Sequence, residues 1–267
     1  MRLDFNDEYK IAKVLYIQNE LERLPNVHRA GGSAAVRIYS PEGRVLHTYK
    51  LNRAKNIKYG QIADRRVMLN SLRKQILSAL NVNPNEYHIQ ITSLYKIGEK
   101  EWEQMKSSSN NRPIDSDYWF DGIHMRSRFE LNTATVLKTL GLEFKYEPRL
   151  VIGGKEIHPD FVVRLPEFQV CFVIECMGRI GNNSYDHDAV NRLKLLMDGG
   201  FIPYRDFLVL GGSEKFIPSE EWISNAIVSI VNAIASEFVF RVSTDVKRLP
   251  RAYVQESIEE RISRGFK

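Results

Sequence analysis

Apolar residues recur at helical spacing over residues 7 to 24, where Ile11, Val14, Leu15, Leu21 and Leu24 share a face behind Asn6 or Asp7 as the opening cap. "NVHRAGG" breaks that period, and "AAVRIYSPEGRVLHTYKL" alternates about "SPEG" as a β-hairpin does. A second long helix is expected from Gln61 to Leu80, with Ile62, Val67, Met68, Leu72, Ile76 and Leu80 on its inward stripe. Residues 81 to 105 hold no settled period: a short strand or helix around "YHIQITSLYKI", and another helix near Trp102. The polar, proline-containing "KSSSNNRPIDSD" reads as a linker over 106–117 between a module of residues 1–105 and one of 118–240. In the second module "SRFELNTATVLKTLG" is a helix capped by Ser127 and stopped at Gly141. "EFKYEPRLVI", "IHPDFVVRL" and "FQVCFVIECM" are strands, "DHDAVNRLKLLMDGG" a helix, "DFLVLG" a short buried strand and "SEEWISNAIVSIVNAIASEF" an apolar helix. The order is α-β-β-β-α-β-α. Residues 241–267 form a basic tail with a last helix around "VQESIEERISR".

Composition narrows the class. The chain of 267 residues is 43% apolar and 27% charged, which is that of an ordinary globular protein. No apolar run reaches the length of a membrane span, and "MRLDFNDEYK" lacks the apolar centre of a secretory signal. Cys171 and Cys176 fall an odd number of positions apart in one strand, on opposite faces, so they are poorly placed to join. A cytoplasmic, reduced protein with no membrane partner is expected.

Charge points to a polyanion. The net charge is +5, but Lys50, Arg53, Lys55, Lys58, Arg65, Arg66, Arg73 and Lys74 stand against Asp64 alone between residues 50 and 74. Arg53, Lys55, Lys58, Arg65, Arg66, Arg73 and Lys74 are therefore candidate phosphate contacts. Tyr39, Tyr49 and Tyr59 interleave with them, either to stack on bases or to pack the hairpin on the helix. A solvated helix face is the competing explanation of the same run.

Two acids interrupt the apolar strands. A two-residue turn at Pro166 and Glu167 puts Asp160 opposite Val173 and makes Asp160 and Glu175 diagonal neighbours on one face. Carboxylates that close repel, and a cation between them keeps both ionised. Hard oxygen donors suit Mg²⁺ (or Mn²⁺), which acidifies a bound water and neutralises phosphate charge. A strand-start cap at Asp160 and an arginine partner for Glu175 would explain the two acids equally well.

The ordered series "MRSRFE", "LEFKYEP", "IHPDF", "ECMG", Tyr185 and "GGFIP" resembles the PD-(D/E)xK nuclease superfamily. It is most similar to bacterial and phage members with an RSxxE, FxYE, PDF, EHxG, Tyr and helical Lys pattern. The resemblance spans residues 124 to 210. It implies an α/β fold with a restriction-endonuclease-like αβββαβ core, here preceded by a small basic α/β module. It implies that Asp160 and Glu175 are metal ligands, with Glu130 completing or orienting the site. Ser127 and Glu130 also spell a capping box, and the two roles of Glu130 can coexist. The lysine that usually lies two residues after the acid is here Met177. The matching helical position is Arg192, which stabilises phosphate charge but accepts protons poorly. The histidine after the acid is Cys176. With Val190, Leu193, Met197 and Phe201 as the buried row, Arg192 leans toward Glu175 while Lys194, a second candidate, lies to the other side. Tyr185 either contacts a phosphate or site acid or packs over the helix start. The expected function is metal-dependent cleavage of nucleic acid, DNA before RNA. The rival is a nucleic-acid-binding or assembly protein on the same fold, and Met177 and Arg192 favour it. Whether a second copy or a partner protein completes the site is left open.

Overall fold

The computed structural model describes residues 3–31, 34–91, 95–110, 113–181, 183–213 and 215–242, with side chains except at 183–189. The expected tail helix, the rest of the basic tail from 243 on and the Tyr185 side chain lie outside the described residues. Helix α1 (Asp7–Arg23) leads into strands β1 (Val27–Ala30), β2 (Ala35–Tyr39) and β3 (Val45–Lys50) and then helix α2 (Ile57–Ser78). Short pieces follow: β4 (Tyr87–Ile89), β5 (Ile97–Gly98), α3 (Glu99–Gln104) and the hairpin β6 (Tyr118–Phe120) and β7 (Ile123–Met125). The rest runs α4 (Arg128–Thr139), β8 (Glu143–Tyr146), β9 (Leu150–Ile152), β10 (Lys155–Ile157), β11 (Phe161–Leu165), β12 (Val170–Met177), α5 (Asn183–Asp198), β13 (Phe207–Gly211), α6 (Glu220–Phe238) and β14 (Val239–Arg241). The fold is mixed α/β. No helix among the described residues is long and apolar enough to cross a membrane.

The central sheet has the order β13-β12-β11-β8, with β12 parallel to β13 and antiparallel to β11. All eight residues of β12 are buried, because both its faces are covered. Phe172, Ile174 and Cys176 face a core shared with α1, α4 and α6, through Ile11, Leu137 and Ile234 among others. Cys171 and Val173 face the other core, with Trp102 of α3 and Leu196 of α5. Both cysteines are buried free thiols, on opposite faces as their spacing requires. The first predicted strand is divided: β8 joins the sheet, while β9 pairs only with β10 in a side hairpin.

The turn after β11 is longer than expected. Leu165 pairs with Val170, so residues 166–169 make a four-residue connection, with Gln169 at φ 57°. Phe168 is fully buried in the main core and the buried Glu167 carboxylate pairs with Lys13 of α1, so both are pulled inward and lengthen the turn. Phe161 consequently pairs with Ile174, and Asp160 comes opposite Glu175 instead of Val173. The two acids are direct neighbours across the strands.

The division into modules also changes. Asn6 caps α1 and its amide donates to the Asn232 carbonyl of α6 at 3.2 Å, while Tyr9, Ile11 and Ala12 belong to the main core. Strand β5 extends the central sheet along β12. The expected linker is tied down at its start, where Ser108 N donates to the Tyr146 carbonyl at 2.6 Å and Ser109 N to that of Glu147 at 3.1 Å. What stands apart in packing is the small core of Val27, Val36 and Ala63 under β1–β3 and α2.

Helix α2 turns only part of its expected stripe inward: Ile62 packs on the small core and Leu80, past the helix end, on the main one. Gly60, Ala63 and Leu69 are buried, whereas Val67 and Met68 are 62% and 60% exposed. Small residues let the helix approach the sheet, where a Cβ on Gly60 would stand 3.3 Å from Leu51. Arg66 occupies the same inner face and donates to the carbonyls of Leu21 and Leu24 at 2.8 and 3.0 Å. Its guanidinium closes the carbonyl end of α1, where positive charge is favoured.

Candidate active site

Strand register brings the acid pair together, and α5 supplies its counter-charge. Glu175 is 1% exposed and faces away from α4, toward Arg192, whose Nε stands 3.4 Å from its Oε2. The buried row of α5 is Leu196 with half-buried Leu193, then Phe201 beyond the helix; Val190 and Met197, expected inside, are 60% and 50% exposed. Arg192 lies one turn before Leu196 and so points to the sheet. Lys194 falls on the opposite side of the helix, is exposed, and does not line the cleft.

Asp160 is half-buried, and its Oδ2 accepts the Cys176 backbone N–H at 2.6 Å. Burial, then the charge of Glu175, pushes its pKa well above the carboxylate range. Burial pushes Glu175 up to about 7 against the pull of Arg192. Burial, then Asp160, also raises the Cys176 thiol, which rests 3.5 Å from Thr133 Oγ1 on the other face of β12. A protonated, buried sulfur is all that this position offers.

Glu130 is committed to structure. Ser127 caps α4 by accepting from Glu130 N at 3.2 Å, and its hydroxyl donates to Glu130 Oε1 at 2.9 Å. Oε2 accepts the Tyr146 hydroxyl at 2.7 Å and Arg126 N at 3.0 Å. Burial raises the Glu130 pKa, and the Tyr146 and Ser127 hydroxyls oppose it. Beside it Arg126 grips Glu147 at two points, Nε to Oε1 at 2.6 Å and Nη2 to Oε2 at 3.2 Å. Asn110 donates to the same carboxylate at 2.9 Å. The roles of Arg126, Tyr146 and Glu147 were not read from the sequence, although all three stand inside the quoted strings "MRSRFE" and "LEFKYEP".

These groups surround a cleft of about 800 Å³. Asp160 and Arg192 form part of its wall, and Glu175, absent from the lining, lies behind them. Arg128 and Arg179 are exposed on the rim, with no ion pair among the described residues. Tyr118 and Phe216 add 37% and 61% exposed aromatic rings nearby.

The amino-terminal cations are dispersed. Arg65 pairs with Glu20 at 2.6 Å, Arg66 closes α1 and Arg73 is half-buried on the inner side of α2. Local pairing is thus greater than the sequence count implied. Arg53, Lys55, Lys58 and Lys74 are exposed. Tyr49 and Tyr59 stack at 4.7 Å and 2° and join sheet to helix, which settles their role as packing. None of these residues lines the cleft.

The donor set suits a hard divalent cation. Apart from Arg192, neither Glu175 oxygen has a hydrogen-bond donor among the described residues, and a second carboxylate stands across the strand pair. No group of three candidate ligands occurs among the described residues, so water or a phosphate would have to complete the shell. The chain matches no protein-family model, no curated protein and no solved structure.

Proposed function

We propose that the chain is a metal-dependent nuclease of restriction-endonuclease-like architecture that hydrolyses phosphodiesters, in DNA before RNA. The observation that carries this reading is the convergence of Asp160, Glu175 and Arg192 at an arginine-rimmed cleft. The order α4-β8-β11-β12-α5-β13 around the sheet agrees with it. Asp160 and Glu175 would hold Mg²⁺ or Mn²⁺; Glu130, whose oxygens are occupied, orients the wall instead of binding. The cation supplies positive charge against the phosphodiester and lowers the pKa of a coordinated water. Arg128 and Arg179 draw the backbone to the rim, and Arg192 sets a fixed cation where charge grows during displacement. Met177 is 6% exposed and gives the strand no proton carrier.

Incubating plasmid, linear and single-stranded DNA with the protein and Mg²⁺ or Mn²⁺ tests the reading. Cleavage should require the metal and vanish in Asp160→Asn, which keeps an acceptor for the Cys176 N–H. Metal-independent cleavage, or an active Asp160→Asn, would place the chemistry elsewhere. A second reading, a nucleic-acid-binding protein on a retired nuclease fold, is favoured by Met177 and by the Arg192–Glu175 pair. DNA binding without cleavage under any metal is its signature.

A further inference from the structure

We propose that the outer face of the β1-β2-β3 sheet seats in the major groove of duplex DNA, apart from the cleft. The cross-strand rows separate the two faces of this sheet. Arg29, Val36 and Tyr49 form one row and turn to α2, where Arg29 meets Asp64, Val36 is buried and Tyr49 stacks on Tyr59. The adjacent row is His28, Arg37 and Thr48, and alternation sends it to the opposite face. Lys50, across from Ala35, lies on that face too. His28, Arg37, Thr48 and Lys50 are all exposed.

No helix among the described residues covers this face, and its chemistry says what would. Arg37 and Lys50 carry no ion pair or side-chain hydrogen bond among the described residues. Between residues 26 and 62 the sequence holds seven Lys and Arg, and Glu42 is the one acid. Leu46, two residues before Thr48, adds a 55% exposed apolar side chain to this face. The other exposed groups are two cations, an imidazole and a hydroxyl, a mixture that suits a hydrated polyanion better than a protein core. The major groove of B-form DNA admits a two-stranded ribbon, and the β2-β3 hairpin is the edge of this three-stranded sheet that would enter it, with β1 flanking it. Arginine suits guanine O6 and N7, threonine suits either base type, and lysine suits the phosphates. The major groove of A-form RNA is too narrow for such a ribbon.

The proposal rests on the reading that the partner is nucleic acid, but not on cleavage. Binding of the full chain to a guanine-containing DNA duplex is measured by fluorescence anisotropy in EDTA, over a salt series, beside the same single strand and an RNA duplex. Guanine N7 methylation protection is mapped in parallel. Arg37→Ala should weaken duplex binding at least about fivefold and remove N7 protection. Lys50→Ala should reduce the salt slope by about 0.9. Both side chains are exposed, so unchanged circular dichroism is expected. Wild-type binding in the two variants, equal affinity for the single strand or the RNA duplex, or no DNA binding at all would overturn the proposal. A chain that protects guanine N7 through Arg37 yet never cuts supports the docking while removing the nuclease reading. A chain that cuts without any sheet-dependent footprint does the reverse.

Discussion

Replacing Glu175 by Gln in the metal-free protein should change how stability depends on pH. The carboxylate is 1% exposed, has no hydrogen-bond donor but Arg192 among the described residues, and its pKa rises from 4.5 to about 7 through burial. A carboxyl group with a raised folded pKa holds its proton more tightly in the folded state. Its stabilising contribution is therefore complete below the unfolded pKa and is lost as pH rises through about 7. At 1.36 kcal/mol per pH unit, ionising Glu175 in the fold costs about 3 kcal/mol, most of which falls between pH 5 and pH 8. Gln keeps the volume and removes the titration. It also relieves Asp160, whose pKa Glu175 raises, so the effect on the pair has the same sign. The attraction of Arg192, a side chain 33% exposed, grows as Glu175 ionises and is already contained in the value of about 7, so its loss in the variant adds nothing further to the difference. Urea unfolding in EDTA from pH 5 to pH 8 reads the difference directly. The wild type should lose roughly 2 to 3 kcal/mol relative to the variant as pH rises. Parallel curves, or a variant that falls faster, would refute the electrostatic account. Saturating Mg²⁺ should flatten the wild-type curve alone if the pair holds a metal, and this arm can fail without touching the first.

Three further perturbations probe the surrounding frame. Arg192→Ala should cut cleavage by roughly 10²–10³-fold with little change in DNA affinity, Arg192→Lys should keep or raise it, and Lys194→Ala should be mild, all read from initial rates. Either Arg126→Met or Glu147→Gln alone should destabilise by about 2 to 3 kcal/mol, since each strands a partly buried charge, and the double variant should cost less than their sum. A Cβ at Gly199 would stand 2.3 Å from Ile152 Cγ2, so Gly199→Ala should cost about 1 to 3 kcal/mol, and less in an Ile152→Ala background, by urea denaturation.

Where the sequence was legible, local chemistry and burial agreed. Ser127 caps α4 and Gly141 follows it at φ 69°, as the serine and glycine promised. Helix α1 and the apolar α6 appear within a residue or two of their expected bounds. Errors arose where long-range contacts overrode pattern. Nothing local in "PEFQ" shows that Glu167 will pair with Lys13 across the molecule or that Phe168 will enter the core, yet those contacts set the register of the acid pair. On α2 the inner face sets Gly60, Ala63 and Arg66, which carry little apolar signal, beside Ile62 and Leu69, and the visible Val67 and Met68 are left outside. The apparent linker failed for the opposite reason: its serines are polar because they bond the backbone at Tyr146 and Glu147.

The site shows the same division more sharply. Period two was enough to put Asp160 and Glu175 on one face, because a turn longer by two residues leaves the facing unchanged. Period 3.6 was enough to aim Arg192 at them even though half of the supposed buried row was wrong, since Leu193 alone fixed the phase. What periodicity could not supply is the work of the remaining motif residues. Arg126, Ser127 and Glu130 bond to Tyr146 and Glu147, so the two short strings around α4 and β8 describe a clamp between elements. That clamp holds one wall of the cleft while β12 and α5 hold the other. Substituting Glu130 by Gln would therefore be expected to act through the clamp's rigidity, lowering stability and cleavage together, whereas a ligand would lose metal affinity with the fold unmoved.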